Sequence, residues 1–290
     1  MSQTCEHDMA KLLKKQTQMS PLAEEYSATA FRRTEEAKAT TRHILDVAYG
    51  PEDDQDIDIY LPDDANTTDV PVFMFVHGGS WTHGYKEWLG FMAPAFTTLP
   101  AIFVSVAYRL APDTKFPFPV KDCRNALKWV YENISKHGGN RDRIFVGGHS
   151  AGGHLAAMLA LELDALEASG MPRDVLKACF PVSGVFDLTG RDEERLGPLL
   201  KSPSDAPAAS PIRLVEGNRT PFLLAIGEID FPELIPQSHA MADALRNQSG
   251  AVELMNMPDE DHFIISLEAG NSDGPWVTRV REWMLNTPTN

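Results

Sequence analysis

The sequence predicts an α/β fold, with a mostly parallel central sheet, helices on both faces and a small N-terminal cap. Three observations carry this reading. Short runs such as Val72–Val76 and Ile102–Val106 are almost continuously apolar, as strands buried on both faces are. Helix-patterned stretches alternate with such runs from Asp46 to the C-terminus, the order of a parallel sheet built from crossover units. Gly148-His149-Ser150-Ala151-Gly152 stands between the apolar Ile144–Val146 and a helix-like stretch from Gly153 to Leu163. In that context G-x-S-x-G reads as a nucleophile elbow. The turn is so tight that only small residues fit around the serine, and it lifts the hydroxyl above the carboxyl ends of the strands.

Along the chain, residues 1–42 are polar and helix-prone, with a sparse apolar face through Leu12, Leu13, Met19, Leu22 and Tyr26. They read as an N-terminal extension, either a cap folded over the mouth of the site or a loosely attached arm. Residues 43–290 read as one catalytic domain. Ile57–Leu61 alternates as an edge or outer strand does. Val72–Val76 and Ile102–Val106 follow as buried strands. Val120–His137 is an amphipathic helix with Cys123, Leu127, Val130 and Ile134 on one face, ended by Gly138-Gly139-Asn140. Ile144–Val146 feeds the elbow, and Cys179–Val182, Phe222–Ile226 and Val252–Met257 are the later strands. Helices are expected over Leu234–Arg246 and Trp276–Leu285. Residues 189–211, rich in Pro, Ser, Asp and Ala, break the pattern and read as an insertion, part lid and part loop.

Composition limits the function classes. The net charge of −15, with no basic block beyond the short Lys11–Lys15 stretch, argues against nucleic acid and anionic membrane as partners. No apolar segment approaches the length that spans a bilayer, and Met1–Lys15 lacks the apolar core of a signal peptide. A soluble cytoplasmic enzyme is the expectation. Three cysteines, Cys5, Cys123 and Cys179, are widely spaced without a C-x-x-C pair, so they read as thiols in a reducing compartment. No HExxH or clustered His/Asp ligand set appears, so neither metal nor cofactor is expected.

A serine needs a general base within hydrogen-bonding reach. The chain order of this architecture is Ser, then Asp or Glu, then His. Of nine histidines, His7, His43, His77, His83, His137 and His149 precede Ser150. His154 lies on the helix after the elbow, facing away, and His239 sits inside a helix. His262 remains, in a loop leaving the final strand at its carboxyl end, and is assigned as general base toward Ser150. The acid should leave the end of the preceding strand. Asp230 is assigned there, with Glu228 as runner-up, and Asp187 is given a structural or pocket role. For the oxyanion hole, Ala151 supplies one N–H by geometry. His77-Gly78-Gly79-Ser80-Trp81 directly follows a strand and offers the N–H groups of Gly79 and Ser80. Trp81 is a buried anchor or a pocket wall, and His149 is a further candidate pocket residue.

These stretches together resemble the hormone-sensitive-lipase-like branch of the α/β-hydrolases. The carriers are HGGSW at 77–81, Tyr108-Arg109-Leu110-Ala111-Pro112, GHSAGG at 148–153, Ser210-Pro211, Gly227-Glu228-Ile229-Asp230 and Asp261-His262-Phe263. Within the branch, Asp46–Gly50, Asp58–Pro62 and HGG-x-W look like the small kynurenine formamidase and aryl-amidase or esterase members. The resemblance implies the same roles for Ser150, Asp230 and His262. Two departures stand out: Ser80 replaces a third glycine, and no arginine near the motifs stands out as a binder of an amino-acid carboxylate apart from Arg109 in the widespread YRLAP stretch, which argues against formylkynurenine itself. The expected activity is hydrolysis of small-acyl carboxylic esters through an acyl-enzyme, with aryl-amide or N-formyl aryl amine hydrolysis as the alternative. A non-catalytic small-molecule receptor on the same fold is the rival from another class. Homodimerisation is left open.

Overall fold

Strand-forming runs separated by crossover helices give one eight-stranded sheet in the computed structural model, which describes residue 16, residues 19–190 and residues 196–287. The strands are β1 (Arg42–Ala48), β2 (Asp56–Leu61), β3 (Val70–Val76), β4 (Ile102–Val106), β5 (Gly139–His149), β6 (Leu176–Val182), β7 (Phe222–Gly227) and β8 (Val252–Met257). Their order is β1-β2-β4-β3-β5-β6-β7-β8. The β1–β2 and β2–β4 pairs are antiparallel and the remaining pairs parallel. The chain leaves β3 for β4 on one side and then crosses to β5 on the other. The carboxyl ends of β3 and β5 therefore flank the topological switch point, where open α/β sheets hold their ligands.

The flanking helices are α1 (Pro21–Lys38), α2 (Ala93–Thr97), α3 (Phe118–Asn133), α4 (Ala151–Leu161), α5 (Leu163–Ala168), α6 (Leu234–Arg246), α7 (Ile264–Glu268) and α8 (Pro275–Asn286). Strand periodicity divides the core. Val72, Met74 and Val76 of β3 belong to one core layer with Cys123, Leu127 and Val130 of α3, the wholly buried α4, and Met241 and Leu245 of α6. Phe73 and Phe75 point the other way, into an aromatic layer with Phe96, Phe103, Phe180 and Trp276. The face foreseen for α3 is the one buried, and Gly138 ends that segment in the left-handed region at φ 91°.

Helix α1 begins with Pro21 in its first turn and Ser20 as N-cap, whose hydroxyl accepts from Ala23 N. Tyr26, Ala30 and Phe31 are buried against the domain. Trp88 Nε1 donates to Ser27 Oγ at 2.9 Å, and Phe91 N donates to Thr34 Oγ1 at 2.9 Å. The sequence expectation for this segment needs one correction: Leu22 is 64% exposed, because Tyr26 and Phe31 set the docked face and turn it outward. Leu12 and Leu13 lie outside the described residues, as do residues 191–195 of the expected insertion.

The antiparallel edge is tied down by a buried cation. Lys86 Nζ, in a short 3-10 turn after β3, lies 2.6 Å from Asp46, 2.9 Å from Asp58 and 3.0 Å from Glu87. Burial alone would lower the ammonium pKa, but Asp58, Glu87 and Asp56 outweigh it and hold the group above its ordinary value. Among the described residues no helix is long and apolar enough to cross a membrane.

Candidate active site

Ser150 lies in the turn between β5 and α4 with φ 56° and ψ −119°, a conformation that L-residues rarely adopt and that costs on the order of 1–3 kcal/mol. The surroundings over-determine it. A Cβ on Gly148 would sit 2.3 Å from Gly152 O, and one on Gly152 would sit 2.0 Å from Val76 O, so neither position admits a side chain. Ser150 N donates to Val182 O at 2.9 Å, anchoring the turn to the end of β6.

His262 Nε2 is 2.9 Å from Ser150 Oγ, and His262 Nδ1 is 2.8 Å from Asp230 Oδ1. Three side chains from distant stretches thus form one hydrogen-bonded line. Asp230 follows β7, while the exposed Glu228 points elsewhere, so the carboxylate meeting the imidazole is Asp230. Burial pushes the Asp230 pKa up. Hydrogen bonds from His262, Ser183 Oγ and Phe231 N overcome that and hold it below the usual carboxylate range. The His262 loop is fixed from below: Asp261 Oδ1 accepts from Phe263 N and Ile264 N at the start of α7.

His149 lies beside Ser150. Its Nε2 is 2.8 Å from the His262 carbonyl oxygen, and its ring centroid is 4.6 Å from that of His262. Burial first, and then the neighbouring His262, press its pKa down to about 3, so the neutral ring donates Nε2–H to the carbonyl.

The 77–81 loop follows β3 and carries three consecutive positive φ values: 113° at Gly79, 54° at Ser80 and 63° at Trp81. His77 braces it, with Nδ1 2.8 Å from Gly78 O and its ring stacked on Tyr108, and burial lowers its pKa to about 4. Trp81 turns out to be both anchor and wall. It is buried, donates Nε1–H to His154 Nδ1 at 3.1 Å, and lines the cavity over Ser150. Ala151 opens α4, where an N–H has no partner within the helix and the helix dipole favours negative charge.

That cavity has a volume of about 660 Å³. Its walls include Gly79, Ser80, Trp81, His149, Ser150, Ala151 and His262, so every sequence-assigned site residue except the buried Asp230 lines it. Tyr26, Trp88, Phe231 and Phe263 add an aromatic lining, and Met19, Ser20 and Ala23 close the side formed by the N-terminal segment. Leu196, from the expected insertion, lines it too. Among the described lining residues none is Lys or Arg. Arg109 is spent elsewhere, gripping the buried Asp122 through Nε at 2.8 Å and Nη2 at 2.7 Å. His154, set aside on direction, instead bridges Trp81 and Ala209 O. Asp187 accepts from Thr189 and Ser210 and serves a loop.

The supporting contacts of His149, His154 and Ser183 were not singled out from sequence. Only Ser183 left a signal, a hydroxyl residue directly past an apolar strand next to the elbow strand.

Comparison with known proteins fits this geometry. Residues 57–245, more than half of the chain, match the family model described as BD-FAE. The chain belongs to the BD-FAE family. This BD-FAE chain is 31% identical over 238 residues to a kynurenine formamidase of Danio rerio, covering 80% of this chain and 78% of that one. It is 34% identical over 236 residues to esterase LipQ of Mycobacterium tuberculosis, covering 75% of this chain and 56% of that one. Among solved structures, the monoclinic form of a Pyrobaculum calidifontis esterase superposes with a TM-score of 0.75 at 23% identity over 100% of both chains. EstE1, a thermophilic carboxylesterase cloned from a metagenomic library, gives 0.75 at 23% identity over 91% of this chain and 96% of that one. At such identity the likeness establishes the fold, that of the α/β-hydrolases.

Proposed function

We propose that this chain is a serine hydrolase that cleaves carboxylic esters of small acyl groups through an acyl-enzyme, with no cofactor. The observation that carries the reading is the Ser150–His262–Asp230 hydrogen-bonded line opening into a cavity. Ser150 Oγ attacks the substrate carbonyl while His262 Nε2 takes its proton, and Asp230 holds the imidazole and stabilises its positive charge. The developing oxyanion is met by the N–H groups of Ala151, Gly79 and Ser80. His262 then returns the proton to the leaving alcohol, and a water deprotonated by the same histidine attacks the acyl carbon and frees Ser150. The N-terminal segment acts as a cap from Met19 onward, since Met19, Ser20, Ala23 and Tyr26 supply one wall of the cavity. The unpaired buried thiols Cys123 and Cys179 go with a reducing, cytoplasmic setting.

The second reading is hydrolysis of an aryl amide or N-formyl aryl amine by the same residues. It is favoured by the aromatic lining of Tyr26, Trp88, Phe231 and Phe263 and by the likeness to a kynurenine formamidase. Steady-state rates on p-nitrophenyl acetate, acetanilide and an N-formyl aryl amine decide between the two. Stoichiometric labelling of Ser150 by an organophosphate tests both, and an unlabelled Ser150 with no turnover of any of the three would leave a receptor on the same fold.

A further inference from the structure

Ser183 immediately follows β6 and does not line the cavity over Ser150. Its side chain is fully buried, and its Oγ donates to Asp230 Oδ2 at 2.5 Å. The other carboxylate oxygen, Oδ1, takes His262 Nδ1 at 2.8 Å and Phe231 N at 2.6 Å. A carboxylate rotates easily about its last bond, so holding both oxygens is what fixes the plane in which the imidazole meets it. The preceding residue, Val182, offers its carbonyl to Ser150 N. Two consecutive residues thus grip the backbone of the nucleophile and the side chain of the acid.

We propose that Ser183 is a positioning residue of the hydrolysis described above, acting through Asp230 to orient His262 and to set how strongly the carboxylate draws the imidazole proton. The inference rests on that reading of Ser150, Asp230 and His262. The backbone supports it. Ser183 has φ 50°, in the region that favours glycine, and its N–H is held by Ala225 O at 2.8 Å. Glycine would hold this turn with less strain, and what serine adds is a hydroxyl aimed at Asp230. The donated hydrogen bond also belongs to the set that keeps the Asp230 pKa below its ordinary range against the push of burial.

Ser183→Ala and Ser183→Gly both remove the hydroxyl but act oppositely on the turn, since glycine relieves the left-handed backbone and alanine does not. A hydrogen bond to a charged group that is lost in this way corresponds to a roughly 10- to 100-fold fall in kcat. We expect that fall in both variants, with KM within about twofold of wild type because Ser183 is remote from substrate. Without the donor, more negative charge faces Nδ1 and favours the imidazolium, so the acidic limb of kcat/KM moves to higher pH in both. If one variant does not fold, the other carries the test.

Wild-type kcat with an unmoved limb in either folded variant overturns the proposal. So does a defect seen in Ser183→Ala but absent in Ser183→Gly, which would mark backbone strain as the cause. Organophosphate labelling of wild-type Ser150 runs in parallel. If that labelling fails, the hydrolase reading itself falls, whereas labelled enzyme with indifferent Ser183 variants sinks this inference alone.

Discussion

Replacing Gly152 by alanine would put a methyl carbon 2.0 Å from Val76 O and 2.6 Å from His77 O, both backbone atoms where β3 enters the 77–81 loop. A carbon and a carbonyl oxygen come to rest at about 3.3 Å, so elbow and loop must part by roughly 1.3 Å. Neither side can yield by turning a side chain, because the colliding atoms are main chain. Ser150 sits two residues away on the same rigid turn and would move with it, relative both to His262 and to the N–H groups of Gly79 and Ser80. A displacement near 1 Å in a catalytic constellation costs about 100-fold in rate. Overpacking of this kind costs about 1–3 kcal/mol of stability, roughly 2–10 °C in Tm for a chain of this size. Gly152→Ala should therefore lose about two orders of magnitude in kcat on p-nitrophenyl acetate and melt several degrees lower. A variant with wild-type kcat and Tm would refute the argument that the elbow is held by main-chain contact.

Ser150→Ala and His262→Ala should each lower kcat by several orders of magnitude, and Asp230→Asn somewhat less, read by burst and steady-state kinetics. A fully active Asp230→Asn enzyme beside a dead Glu228→Gln enzyme would move the acid assignment. Tyr26→Ala removes a buried ring packed 5.4 Å from Trp88 and 5.5 Å from Phe263, together with the hydroxyl contact to Ser266. It should destabilise the protein by about 3 kcal/mol or more and raise KM for aryl esters more than it lowers kcat, and an unchanged KM would count against the cap. His77 and His149, with pKa values pushed down to about 4 and about 3, refuse protons that the unfolded chain accepts near its ordinary value. Stability should therefore erode as pH falls from about 6.5 toward 4. His149→Gln, which keeps a donor but cannot titrate, should show a shallower fall in Tm over that range.

Where one physical signal dominates, the sequence was legible. Val252–Met257 and Leu234–Arg246 were bounded as they are observed, because an apolar strand and an amphipathic helix each carry their own period. Strand β1 was read only from Asp46. Its residues are mostly exposed, so no buried face imposes alternation on Arg42–Leu45. Helix α7 spans five residues, Ile264–Glu268, too few for a helical period to appear. Ser150 and His262 are assigned through a turn that tolerates only certain residues and through chain order, and they lie 2.9 Å apart. Asp230 was separable from Glu228 only by preference, and burial now separates them. The partners that hold these groups, His149 on the His262 carbonyl and Ser183 on Asp230, come from three-dimensional proximity across 113 and 47 positions, of which the hydroxyl residue just past β6 is the one local trace.

The ammonium of Lys86 joins β1, β2 and the chain leaving β3 through a single atom shared among Asp46, Asp58 and Glu87. A knot of that kind cannot loosen strand by strand. Taking away the one cation would strand the charge of Asp58 in the interior, with a penalty of several kcal/mol, while trimming any single exposed carboxylate would leave the rest tethered. The outermost ribbon of the sheet should then detach as a unit or not at all. Because Lys86 lies only a few residues beyond the 77–81 loop, such detachment would slacken the frame around Gly79 and Ser80 well before the parallel strands came apart.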